Sequence, residues 1–256
     1  MTSRSLFAPL APLSPLASLL VTASLLAGSG CDEDTTPTHV ACVGDSITVG
    51  DGASAPQETY PAALQGMLGP KVVVKGFGHN GATLMGAGAG DLPYETQPEY
   101  GEATTFVSGA GPDARVAVIL LLGTNDSKAQ VWDAPGRKER FIADYGKLID
   151  HFATLPTHPT VYLATPLGTG KTPCCGIRGD VLTKEIVPAI QDLAKSHSLP
   201  IVDLTTVISG HPELLADGVH PNDKGYEALA TKIHELLAAQ PPKPQPGRSF
   251  WSKFGH

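Results

Sequence analysis

Gly44-Asp45-Ser46-Ile47-Thr48 lies near the start of the chain, and Asp217-Gly218-Val219-His220-Pro221 near its end. A serine hydroxyl is a weak nucleophile at neutral pH and needs a base within hydrogen-bond reach. An imidazole with a carboxylate three residues upstream can be that base. The carboxylate fixes the ring tautomer, and the ring takes the serine proton and returns it to the leaving alcohol. Ser46, Asp217 and His220 are therefore candidates for a nucleophilic triad drawn from opposite ends of one domain. Each piece also has a plainer reading, with Ser46 as a helix N-cap and His220 as a loop residue at a helix entry.

Two more polar stretches lie between them. Gly123-Thr124-Asn125-Asp126 follows the apolar run 116–122, and Phe77-Gly78-His79-Asn80-Gly81-Ala82-Thr83 follows Val72-Val73-Val74. With these four stretches in this order, the chain resembles the SGNH hydrolases, or GDSL esterase/lipase family, over roughly residues 39 to 238. The resemblance implies Ser46 as nucleophile, with Asp217 and His220 completing the triad. It also implies an oxyanion hole made of the Ser46 and Gly81 backbone N–H groups and the Asn125 side-chain amide. Gly81, lacking a Cβ, would let its amide approach a tetrahedral centre closely. Asp45 and Asp126 read as carboxylates that brace loops.

The stretches 78–84, 90–94 and 122–128 are similar to a subgroup often associated with sialate O-acetylesterase-type and other sugar-ester deacetylases. His79 and Asn80 stand where relatives usually carry a small residue and serine. The implied activity is hydrolysis of carboxylic esters through an acyl-serine intermediate, without metal or cofactor, favouring acetyl groups on carbohydrate. A lipolytic esterase, lysophospholipase or thioesterase is the rival within enzymes. A catalytically silent carbohydrate-binding lipoprotein is the rival outside them, and it should have lost at least one of Ser46, Asn125, Asp217 or His220. His79, Tyr94 and Trp132 are candidate substrate contacts. Aromatic faces in overhanging loops suit stacking on a sugar ring, with core packing as the other reading.

These residues need a scaffold that gathers them. Short apolar runs at 39–43, 72–74, 116–122, 160–164 and 200–204 are continuous rather than alternating, as strands covered on both faces are. Helical patterns at 60–68, 96–108, 138–155, 181–197 and 222–239 separate them. The alternation predicts a flavodoxin-like three-layer α/β/α sandwich around a five-stranded parallel sheet. Such sheets place ligands beyond the carboxyl ends of their strands, where the polar stretches would collect in a shallow site.

Residues 1–30 carry one positive charge, Arg4, then an apolar stretch ending in small residues before Cys31. This reads as a secretion signal, because the uninterrupted apolar run is shorter than the ~20 residues a bilayer needs. Cys31 is either a lipidation site tethering the protein to a membrane or part of a plainly secreted chain. The expected organisation is a signal peptide at 1–30, a linker at 31–38, the hydrolase domain at 39–239 and a Pro-rich tail at 240–256. The expected location is periplasmic, extracellular or anchored at a bacterial cell envelope. A net charge of −7 argues against nucleic acid and anionic lipid surfaces as partners. Cys42 falls inside the first strand pattern as a buried residue, whereas the neighbours Cys174 and Cys175 are open to either a vicinal disulfide or free thiols. No CxxC or His/Cys spacing suggests zinc.

Overall fold

The computed structural model describes residue 1 and residues 36–86, 92–111 and 113–243. The expected signal, Cys31, most of the linker and the tail beyond 243 lie outside the described residues. Five parallel strands form the sheet: β1 (His39–Gly44), β2 (Val73–Gly78), β3 (Val116–Leu121), β4 (Thr160–Ala164) and β5 (Ile201–Val202). Their order, β2-β1-β3-β4-β5, is the expected flavodoxin-like one. Helices α1 (Ser46–Val49) and α2 (Tyr60–Leu68) follow β1, and α3 (Pro98–Ser108) follows β2. Helices α4 (Ala129–Trp132) and α5 (Arg137–Ala153) follow β3. After β4, α6 (Gly179–Val181) continues through a π turn, Leu182–Ile186, into α7 (Val187–Ser196). Finally α8 (Thr205–Ile208) and α9 (Asp223–Ala239) follow β5.

The continuous apolar pattern is explained by cover on both faces. Along β3, Val116, Val118 and Leu120 join one core with Val107 of α3, Phe141, Tyr145 and Phe152 of α5, and Ile190 of α7. Ala117, Ile119 and Leu121 join the other, with Tyr60 and Leu64 of α2 and Tyr226, Leu229 and Ile233 of α9. Burying one such aliphatic side chain contributes roughly 1.5–3 kcal/mol. Cys42 is buried in the second core as a free thiol, and burial pushes it up to about 12, which keeps it protonated.

Several boundaries differ from expectation, the fifth strand shrinking from 200–204 to Ile201–Val202, and two of the differences have a plain physical reason. The second strand runs on past Val74, because Lys75, Gly76 and Phe77 pair with Ala41, Cys42 and Val43. It is an edge strand, so a lysine and a glycine are tolerated there and hide it from an apolar count. The third helix starts at Pro98 rather than near 96, with proline at the first helical position where its missing N–H costs nothing. The register then aligns the strand ends. Gly44 pairs with Gly78 on one side and Leu121 on the other, so the loops leaving β1, β2 and β3 start at one level. β1 and β3 flank the point where strand order reverses, and that is where such a sheet opens a crevice.

Candidate active site

Ser46 opens α1, the single turn after β1. Asp45 is the N-cap, accepting the Ile47 N–H at 3.0 Å, which frees the Ser46 hydroxyl for other work. Ser46 Oγ lies 2.9 Å from His220 Nε2, and His220 Nδ1 lies 2.7 Å from Asp217 Oδ2. An Nδ1–H donating to the carboxylate leaves Nε2 to accept from the serine O–H, the tautomer a general base requires. The other carboxylate oxygen, Oδ1, accepts the backbone N–H groups of Val219 at 3.0 Å and His220 at 2.8 Å. Partial burial pushes the Asp217 carboxyl up, but the bonds from the His220 ring and these two amides outweigh it and hold the group below its usual value.

The loop between α8 and α9 supplies both residues. A bridge between Leu215 and Pro221 pinches it closed, and the Ala216 N–H donates to the His220 carbonyl at 2.8 Å. Gly218, between acid and base, sits at φ +85°, and a Cβ there would fall 2.7 Å from the Thr172 carbonyl oxygen. Only glycine fits both demands, so this position joins the triad loop to the segment 168–179 after β4. The Gly170 N–H donates to the Gly218 carbonyl at 2.9 Å to complete that contact.

Asn125 follows β3, is almost fully buried, and ties the other polar loops together. Its amide donates to the Ala82 carbonyl at 3.0 Å and reaches Asp45 Oδ2 at 3.5 Å. It thus links the residue before Ser46 with the residue after Gly81. Gly81 has φ +78°, but a Cβ on it would meet nothing nearer than Leu92 Cδ2 at 3.8 Å. Within the chain itself the glycine is therefore called for by its left-handed backbone rather than by crowding from neighbouring side chains.

Asp126 braces the second loop as expected, taking the Leu84 N–H at 2.9 Å and the Met85 N–H at 3.0 Å on its two oxygens. Burial pushes Asp126 up to about 7 and Asp45 up to about 6. In the folded chain these carboxyls hold protons that an unfolded carboxyl, titrating near ~3.9, has released. Their contribution to stability is therefore full below pH ~4 and is lost as pH rises through the folded values. Asp45→Asn keeps an oxygen for the Ile47 N–H and has no proton to lose. Its denaturation midpoint, measured from pH 4 to pH 8, should fall less steeply than that of the unaltered chain; an identical slope would show that Asp45 is ionised throughout.

The three candidate substrate contacts fare differently. Tyr94 is 1% exposed and donates its hydroxyl to the Phe77 carbonyl at 2.7 Å, so it is a core residue closing the end of β2. Trp132 is 7% exposed, packs edge-on against Phe141 and donates its indole N–H to Glu185 at 2.9 Å. Both correct the expectation of stacking faces. His79 is half-buried and pairs through Nδ1 with Glu99 of α3 at 3.0 Å.

Two residues with no local signal also meet here. Cys174, joined to Cys175 in a vicinal disulfide, places its sulfur 3.3 Å from Asp217 Oδ2 and 3.9 Å from His220 Nδ1. Arg178 donates to the Ser127 carbonyl at 2.7 Å and to both oxygens of Asp133, pinning the end of that segment to the turn after Asn125. Strand–loop alternation places both segments at this edge, but nothing in their composition pairs residues so far apart in the chain.

A doubly wound parallel sheet with hydroxyl, imidazole and carboxylate in series at its carboxyl edge is the architecture of a serine-type hydrolase. Residues 42–228 match the model of the GDSL-like lipase/acylhydrolase family, and the chain belongs to that family of ester hydrolases. It is 36% identical over 217 residues to an acetylxylan esterase of Xylanibacter ruminicola, covering 78% of this chain and 42% of that protein. It is 27% identical over 205 residues to a GDSL lipase of Mycobacterium tuberculosis, covering 78% and 82% of the two chains. Among solved structures, a carbohydrate acetylesterase family member from Sinorhizobium meliloti superposes with a TM-score of 0.58 at 20% identity, over 79% of this chain and 98% of that one. The chain thus spans less than half the length of its Xylanibacter relative.

Proposed function

We propose that this protein hydrolyses short-chain carboxylic esters, acetate foremost, on carbohydrate, with Ser46 as nucleophile. The observation that carries the reading is the unbroken series Ser46 Oγ, His220 Nε2, His220 Nδ1 and Asp217 Oδ2, with contacts of 2.9 and 2.7 Å. His220 takes the Ser46 proton as Oγ attacks the ester carbonyl, and the charge that develops on oxygen is met by preorganised N–H donors. The Ser46 and Gly81 amides fill that role, joined by the Asn125 side chain when its long 3.5 Å contact to Asp45 is given up for the substrate oxygen. The imidazolium then protonates the departing alcohol, and water attacks the acyl-serine by the reverse path.

Two observations support a small acyl group on a bulky alcohol. The Asp217 side chain is 41% exposed, while Ser46 and His220 keep only 8% and 9% of their surface, so the triad opens to solvent at its acid end. The Xylanibacter relative is named for an acetylated polysaccharide. Export fits the same picture, since residues 1–30 have the pattern of a secretion signal and polysaccharide esters lie outside the cell. The test is a panel of p-nitrophenyl esters of graded chain length beside acetylated xylo-oligosaccharides. We expect kcat/KM to be highest for acetyl and to fall with chain length, with acetate released from the oligosaccharide. A rise toward long acyl chains would overturn this reading in favour of a lipolytic enzyme.

A further inference from the structure

The pair Cys174–Cys175 is unused in the chemistry above, yet it sits on the triad's acid. Cys174 Sγ is 3.3 Å from Asp217 Oδ2, the same oxygen that accepts from His220 Nδ1. One ligand atom from each of Cys174, Cys175 and Asp217 lies within 4.8 Å of the others, with the two sulfurs bonded to each other, so opening that bond would free two thiols beside the carboxylate. Cys175 and Asp217 are exposed and Cys174 is half-buried, so the group opens to solvent. We propose that Cys174, Cys175 and Asp217 form a redox-gated site for a thiophilic divalent cation, such as Zn²⁺, whose occupation withdraws Asp217 from His220 and silences the enzyme. The silencing rests on the function proposed above; the cation site does not.

The chemistry of the donors sets the gate. Closed as a disulfide, the two sulfurs are poor metal ligands, and Asp217 is left to the imidazole. A thiol reductant opens the pair by exchange: the S–S bond breaks, two thiols form on the protein, and two reductant thiols are oxidised to their own disulfide. A phosphine does the same with water, ending as the phosphine oxide. The cation then displaces both thiol protons to solvent and takes two thiolates, the ligands softer metals select, with a carboxylate oxygen as the third. That oxygen cannot also accept the full His220 Nδ1–H bond, so the ion and the base compete for one acceptor. The Gly170–Gly218 backbone bond joins the two segments without using either sulfur.

The test uses the whole protein before and after treatment with a phosphine reductant. Cd²⁺ serves as a spectroscopic probe, through the ultraviolet charge-transfer absorption of thiolate–cadmium bonds. We expect this absorption to saturate at about one ion per chain in the reduced protein and to be absent from the untreated protein and from Cys174→Ser/Cys175→Ser. Zn²⁺ should lower p-nitrophenyl acetate turnover at least about tenfold in the reduced protein only, a loss that a chelator reverses. The double variant, read against its own metal-free rate, should not respond. Absence of the cadmium signal from the reduced protein would overturn the proposal. So would cadmium binding without zinc inhibition, or equal inhibition of the untreated protein and the double variant. If the untreated protein cleaved no ester, the proposed function would fail, while the cadmium signal would still decide whether the site exists.

Discussion

Ser46→Ala is expected to lower hydrolysis of p-nitrophenyl acetate by about 10⁴–10⁶-fold while leaving the fold intact. The substitution deletes one atom, Oγ, and with it the bond to which His220 Nε2 is directed at 2.9 Å. The nearby sulfur of Cys174 does not replace it as nucleophile, being tied up in a disulfide on the far side of the imidazole, next to Nδ1. Stability should barely move. α1 is capped by Asp45 and not by Ser46, and alanine is a good residue for the first helical position. The measurement pairs initial rates with a thermal melt. A variant with an unchanged melt and full turnover would remove Ser46 from the mechanism, whereas an unchanged melt with the expected loss assigns the effect to chemistry.

The residues proposed for this chemistry were legible in the sequence for a specific reason. Each stands within four residues of the end of a parallel strand, or beside its partner in one tight turn, so local pattern and final position coincide. Ser46 follows β1 by two residues, Gly81 and Asn125 follow β2 and β3 by three and four, and Asp217 reaches His220 across a turn of its own. The sheet was legible because every position of β3 is buried, which an uninterrupted aliphatic run reports directly. What the sequence concealed depends on packing between distant segments. Tyr94 looks like a loop aromatic until the Phe77 carbonyl at the end of β2 takes its hydroxyl. Trp132 looks like a rim residue until Phe141 and Glu185 cover it from two other helical segments. Cys174 gives no sign of Asp217, because their contact is set by how the segment after β4 lies against Gly218.

Asp217→Asn carries the second large expected effect, a loss of about 10³–10⁴ in kcat. The two oxygens of Asp217 face donors on both sides: the His220 ring N–H on Oδ2, and the backbone N–H groups of Val219 and His220 on Oδ1. An asparagine amide has one acceptor end and one donor end, so it must fail on one side. With its NH₂ toward the ring, Nδ1 has to become an acceptor, the proton moves to Nε2, and the base can no longer take the Ser46 proton. With its NH₂ toward the backbone, two N–H groups lose their acceptor and the turn that presents His220 is destabilised, at a cost on the order of 1–3 kcal/mol. The partial exposure of this side chain lets water reach both places, which pulls the expected loss toward the lower end of that range. The two outcomes separate experimentally. A wrong tautomer lowers kcat with KM and melting temperature nearly unchanged, whereas a broken turn lowers the melting temperature as well. Retention of full kcat by Asp217→Asn would mean that His220 needs no carboxylate to orient it, and the proposed triad would reduce to a Ser–His pair.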